Sequence, residues 1–382
     1  MNILYIVHDN KKGGAALSFL EMISHVKEQH NVFVFVPHKQ GFVPQQLEKM
    51  GIPYQNAHYF WWKIALPSNA LSAGIRKGIY KLLNVWNIFE AKRLKKKIRQ
   101  MEIDIIHSNS SVINFGALLS KETGVLHVWH LREYGEEDFN LKCVVSPKRY
   151  KKEMNSYAAG YIAISKSIKD KFSNIVDRNK ITHIYNGVSE NFRLKKDYVQ
   201  KENQEVKFLI SGNYCREKGQ IDAVLAAAEL CKKGISNFKL YLAGNGDFAE
   251  PRRVSIENNL QDQIIFCGCV DNMLELRKTV DVEIVASKCE AFGRVTIEAM
   301  RMSNPVIGTN TGGTPELINS GRNGFLFEYG NYLQLADYMC KFITDRKLIA
   351  QMGKNAFEDM DGVFTPKENA SRILALYEQI RG

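Results

Sequence analysis

No uncharged apolar run in this 382-residue chain approaches the roughly 18 residues needed to span a bilayer. The opening, Met1-Asn-Ile-Leu-Tyr-Ile-Val-His-Asp, carries no basic leader, and its apolar run is too short for a signal peptide. It reads better as a first strand, and the expected location is the cytoplasm. The seven cysteines are odd in number and show no metal-type spacing; Cys267 and Cys269, one residue apart, form neither a redox nor a zinc pattern. They read as core or incidental thiols in a reducing compartment. No acidic cluster suited to a divalent metal is visible. No nucleic-acid motif accompanies the basic charge either, which sets nucleic acid aside as a partner.

What is present is ordinary for a globular chain: 45% hydrophobic and 24% charged residues, and a length that predicts two domains. The net charge of +11 is unevenly placed, with nine Lys/Arg and one Glu between Leu71 and Gln100. In the same segment Leu82, Val85, Trp86 and Phe89 follow helical spacing. Two readings stay open. One is a basic amphipathic helix lying on an anionic membrane, which would make the protein peripheral on the inner face of the cell membrane. The other is an apolar stripe packed on its own domain beneath solvated lysines.

Strand-like and helix-like patterns alternate along the chain. Asn2–Val7, Asn31–Val36, Ile103–His107, Val125–His130, Gly160–Ile164 and Ile181–Ile184 read as strands of a first α/β domain, residues 1–188. A polar linker, 189–205, follows. The pattern restarts in residues 206–362 with strands Val206–Ser211, Phe238–Ala243, Gln263–Phe266, Asp281–Ala286 and Pro305–Ile307, and a final helix occupies 363–382. Ligands of doubly wound sheets bind at the carboxyl ends of strands, which predicts a site in the cleft between two such domains.

The most informative stretch is Ser287–Arg301, Ser-Lys-Cys-Glu-Ala-Phe-Gly-Arg-Val-Thr-Ile-Glu-Ala-Met-Arg. It follows a buried-strand pattern and turns helical after Gly293. Glu290 precedes the helix and can curl over its N-terminus, where free N–H groups suit a phosphate. Glu298, eight positions on, lies inside the helix; a carboxylate accepts two hydrogen bonds at once, which suits a ribose diol.

Glu290-Ala-Phe-Gly-Arg-Val-Thr-Ile-Glu298-Ala-Met resembles the signature of the retaining glycosyltransferases of family 4 ("glycosyl transferases group 1"), whose GT-B fold sets two Rossmann-like domains across a cleft and sends the last helix back to the first domain. The resemblance implies a nucleotide diphosphate sugar as donor and a glycan or lipid-linked acceptor, in synthesis of a surface glycan, without a metal. Glu290 would hold sugar hydroxyls, with Phe292, Gly293 and Arg294 beside it, and Glu298 the ribose. Other blocks fall in the family's order. Gly13-Gly14 matches the glycine loop at the donor diphosphate. His130, with Arg132 and Glu133, matches the cleft histidine; His107 reads as structural or peripheral. Lys218-Gly219 matches a phosphate-binding cation, but Asn213 stands where the family has its arginine; either Arg216, three residues later, reaches the same phosphate from another backbone position, or Lys218 works with less help. Phe266–Val270 resembles the loop whose backbone holds the base. The acceptor would dock near Trp61, Trp62 and the basic segment.

Two rivals remain. Gly244-Asn-Gly-Asp-Phe-Ala249 has the outline of a dinucleotide fingerprint and raises a nicotinamide-dependent oxidoreductase. It follows the second strand of its domain rather than the first, and no acidic residue ends the next strand. A GT-B relative acting on the nucleotide sugar itself, such as an epimerase, is the other. The same Gly244 turn also matches the family's second-domain glycines.

Overall fold

A computed structural model describes residues 1–196 and 204–382. The chain forms two compact units, Met1–Val188 with Phe364–Gly382, and Ser189–Val363.

The first unit is built on a seven-stranded parallel sheet in the spatial order Tyr54–Asn56, Asn31–Val36, Asn2–Ile6, Ile105–Ser108, Leu126–Leu131, Gly160–Ala163, Ile181–His183. Side chains alternate across a strand, and both faces are apolar. Ile3, Tyr5 and Val7 enter one core layer with Phe19 and Ile23. Leu4 and Ile6 enter the other with Leu94 and Ile98. Such runs belong to parallel strands covered on both sides. The terminal helix Pro366–Arg381 puts Ile373, Leu376 and Tyr377 into the first layer, so the last segment does return to the unit in which the chain began. The order reverses between Asn2–Ile6 and Ile105–Ser108, which puts the loops after these two strands at a switch point.

The second unit holds a six-stranded parallel sheet: Ile264–Gly268, Phe238–Ala243, Val206–Ser211, Val282–Val285, Val306–Thr309, Gly324–Phe327. Its reversal lies between Val206–Ser211 and Val282–Val285. The loops after those strands carry Lys218 and Glu290. The stretch 189–196, expected to be linker, is pinned inside this unit: Leu194 N–H donates to Arg301 O at 2.9 Å, and Arg193 Nε to Asp361 at 2.7 Å. The rest of that linker, 197–203, lies outside the described residues.

Gly324–Phe327, Tyr54–Asn56 and the small antiparallel pair Lys63–Ala65 with Leu141–Cys143 were not foreseen. The last three are three-residue segments, too short for a period-2 pattern to register.

Candidate active site

The second unit's switch point is made by two loops. One, Gly212–Gly219, ends in a single 3-10 turn, Arg216–Lys218. Gly219 closes it with φ +67°, and a Cβ there would stand 2.1 Å from Ala286 O. Only glycine lets the two loops touch so closely. The consequence is that Lys218 meets Glu290: Nζ donates to Oε1 at 2.5 Å, and Ser287 Oγ donates to the same oxygen at 2.6 Å. Burial works to raise the Glu290 pKa, but the Lys218 charge and these two hydrogen bonds prevail and hold it below the ordinary carboxylate range. Glu290 is therefore ionised at neutral pH. Its backbone is fixed as well, since Gly313 N–H donates to Glu290 O at 2.7 Å. The pair places a fixed cation beside a fixed acceptor, which suits an anionic group joined to a hydroxylated one.

Arg216 does not share this arrangement. Its side chain is exposed and makes no hydrogen bond or ion pair among the described residues, whereas Lys218, two positions on, points inward.

Glu298 sits on the helix Arg294–Met300, in a different network. Arg294 Nε donates to its Oε1 at 2.8 Å and Arg277 Nη1 to its Oε2 at 2.6 Å. Arg277, 1% exposed, also grips Glu283 through Nε at 2.8 Å and Nη2 at 3.0 Å. The expected ribose ligand is thus one end of a buried Glu–Arg–Glu chain that fixes its rotamer. Each of its oxygens keeps a second lone pair. Nothing in the residue pattern singles out Arg277, which reads as one more cation beside Lys278 on a short helix.

Phe292 is buried, and Gly293 (φ +93°) opens the Glu298 helix without a side-chain cap. Nearby, the buried hydroxyls of Thr296 and Thr314 have no hydrogen-bond partner among the described residues. Buried polar atoms are normally satisfied, so this stretch carries capacity for a ligand or water that sequence reading missed. Val270, half-buried, packs with Leu209, Ala243 and Val280 on the loop after Ile264–Gly268.

Gly244 has an internal reason to be glycine. At φ +151°, its Cβ would fall 1.9 Å from Gly212 O. The glycine lets one loop cross another. The dinucleotide outline is therefore explained without a pyrophosphate, and the nicotinamide reading loses its motif.

In the first unit Gly14 begins the helix Gly14–Val26, and a Cβ on it or on Gly13 would meet nothing within 4 Å. The fold itself asks for no glycine there; open space lies over the loop at the switch point. His130 is fully buried. Its Nδ1 meets His107 Nε2 at 3.1 Å, and His107 Nδ1 meets Tyr377 Oη at 2.5 Å. Burial, with the Arg132 charge second, lowers both histidines well below their ordinary pKa, so both are neutral. His130 Nε2 is buried with no partner among the described residues. His107, expected to be structural or peripheral, is structural: it is buried and orients His130. Arg132 holds Asn109 (2.7 Å) and Asn186 (2.6 Å), while Glu133 accepts from Ser110 Oγ (2.9 Å) and Ser111 N–H (2.8 Å); both order loops rather than extend the histidine pair. Trp62 corrects the expected acceptor surface. It is fully buried, donates Nε1–H to Ser111 O at 2.8 Å and stacks on Trp129, so no acceptor can reach it.

Two Rossmann-like units with these switch-point loops define the GT-B class. A crystal structure of Anabaena HepE in complex with UDP and glucose has the same fold, with TM-score 0.78 and 21% identity over 99% of this chain and 100% of that one. Residues 191–359 match the family model described as Glycosyl transferases group 1, and residues 12–192 that of Glycosyltransferase Family 4. The chain belongs to these glycosyltransferases. It is similar to the N-acetyl-alpha-D-glucosaminyl L-malate synthase of Bacillus anthracis, 31% identical over 57% of this chain and 59% of that one. It is also similar to the capsular polysaccharide biosynthesis glycosyltransferase CapM of Staphylococcus aureus, 26% identical over 58% and 61%. The alignments span about three fifths of these two relatives.

Proposed function

We propose that the chain transfers a sugar from a nucleotide diphosphate sugar to a glycan or lipid-linked acceptor, retaining the anomeric configuration and using no metal. The observation that carries this reading is the Lys218–Glu290 pair at the switch point of the second sheet. Lys218 stabilises charge as it grows on the leaving diphosphate. Glu290, an ionised acceptor, takes hydrogen bonds from sugar hydroxyls. Glu298, its rotamer fixed by Arg277 and Arg294, takes the ribose. The acceptor oxygen bonds to the anomeric carbon on the face from which the diphosphate oxygen departs, and the acceptor's proton passes to that oxygen. His130, expected at the donor, is fully buried with its Nε2 closed off from solvent and takes no part in the proposed transfer. HepE was crystallised with UDP and glucose, so UDP-sugars are the first donors to test. A capsular polysaccharide glycosyltransferase and a glucosaminyl malate synthase among the relatives leave two acceptor classes to compare, a glycan and a small molecule.

The test is a panel of UDP-, GDP- and ADP-sugars assayed for nucleoside diphosphate release. The expected result is slow release from one base class, unchanged by EDTA and accelerated by an acceptor. Isomerised nucleotide sugar without release would identify an epimerase. Strict dependence on added metal would overturn the metal-free mechanism.

A further inference from the structure

The helix Ala70–Gln100, capped by Asn69, whose side chain accepts from Leu71 N–H at 3.0 Å and Ser72 N–H at 3.1 Å, is amphipathic in the wrong sense for a packed helix. Its inner side holds Asn87, Glu90, Ala91, Leu94 and Ile98, all buried. A polar clip completes that side: Asn87 exchanges two 2.9 Å hydrogen bonds with the Phe60 backbone. At 100° per residue, Leu71, Ile75, Ile79, Leu82, Trp86 and Phe89 fall on one stripe away from that side. All are exposed, Leu82 by 73%, Trp86 by 52% and Phe89 by 62%. The stripe runs for about 27 Å along the axis. It does not pack on its own domain, so the plainer of the two sequence readings is overturned.

Continuing along the outward side, Lys92, Lys95, Lys96, Arg99 and Gln100 line a shallow depression of about 400 Å³. The segment's single acid, Glu90, is buried and taken by Arg93 at 2.7 Å. Lys95 lies 3.9 Å from Glu122, while Lys92, Lys96 and Arg99 make no ion pair among the described residues. At 100° per residue the cations centre roughly a quarter turn round the helix from the apolar stripe, so the two flank the outward side, the stripe first along the axis and the cations after it.

We propose that this face docks on an anionic phospholipid bilayer, the apolar half entering the headgroup–acyl boundary and the cationic half meeting lipid phosphates. Charge chooses the occupant: a second copy brings no acidic side chain to this face to meet the lysines, whereas an anionic bilayer offers phosphates to the cations and acyl chains to the apolar stripe. No helix among the described residues is long and apolar enough to cross a membrane, so the contact is superficial. It does not depend on the proposed transfer reaction.

The experiment is co-sedimentation of the full chain with vesicles of phosphatidylcholine alone or mixed with phosphatidylglycerol. Binding is expected only to the mixed vesicles, and about tenfold or more weaker in Lys92→Glu/Lys96→Glu/Arg99→Glu. Leu82→Ser/Phe89→Ser should also lose binding while keeping the wild-type circular dichroism and melting temperature, because both positions are exposed. Trp62 and Trp129 are buried, and Trp61 is half-buried with its Nε1–H donated to His8 O at 2.6 Å, so most of any blue shift in emission on binding should be lost in Trp86→Phe. Equal binding to both vesicle types, or unchanged binding in both multiple variants, overturns the proposal. So does a vesicle-indifferent dimer in sedimentation velocity that dissociates in Leu82→Ser/Phe89→Ser, which would assign the face to a second copy.

Discussion

Arg277 joins two carboxylates of the second unit, although no motif singles it out. Its guanidinium is buried between Glu283 and Glu298 and bonds both. Removing one partner of a buried ion pair leaves an uncompensated charge, at a cost of about 3–5 kcal/mol. Arg277→Met leaves Glu283 without its cation while Glu298 keeps Arg294, so chemical denaturation of the second unit should show a loss in about that range. Glu298→Gln, which keeps a hydrogen-bonding oxygen for Arg277, should lose less. Equal losses would mean that the network does not hold the Glu298 rotamer. At this scale the sequence was legible where chemistry is local. Lys218 and Glu290 were each singled out, by glycines and loop position, for a separate task; their direct contact was not foreseen. Arg277 was not, because its role depends on which strand lies beneath its helix.

Strands and the helices that follow them were legible to within a few residues, since continuous Val/Ile runs between polar breaks mark parallel strands covered on both faces. The long helix after Asn69 was legible as a helix, but not in its facing. Its apolar stripe and its buried face are both helical in period, and only the fold reveals that Asn87 and Glu90 point inward. The neighbouring strands Ile105–Ser108 and Leu126–Leu131, which carry His107, His127 and His130, supply a test at this scale. All three histidines are fully buried, and burial lowers their pKa values, to about 3 for His127. Below the unfolded value of 6.5 the unfolded chain binds protons that the folded chain refuses, so stability must fall as pH drops. Each such histidine contributes a slope approaching about 1.4 kcal/mol per pH unit. Asp138, pushed up to about 6 by burial, acts in the opposite sense, one group against three. The first unit's melting temperature should therefore fall between pH 7 and pH 5, a window above the range in which Glu290 protonates. A flat melting temperature across that interval would show that these side chains titrate normally.

For the whole molecule, the fold and the family agree with what the ordered series of short blocks implied. Two α/β units, each with a switch point at the carboxyl ends of its strands, place Gly14 and His130 in one and Lys218, Glu290 and Glu298 in the other. What stayed illegible was specificity, because the sugar, base and acceptor are read by loop shape rather than by residue type. The central claim is that Lys218 serves the diphosphate and Glu290 the sugar, and one comparison separates these tasks: calorimetric UDP affinity beside UDP-sugar turnover, in wild type, Lys218→Ala and Glu290→Gln. Lys218→Ala should weaken UDP binding about tenfold or more and cut turnover by about a hundredfold or more, while Glu290→Gln should bind UDP nearly as wild type yet lose turnover to a similar degree. Undiminished turnover in both variants would contradict the account.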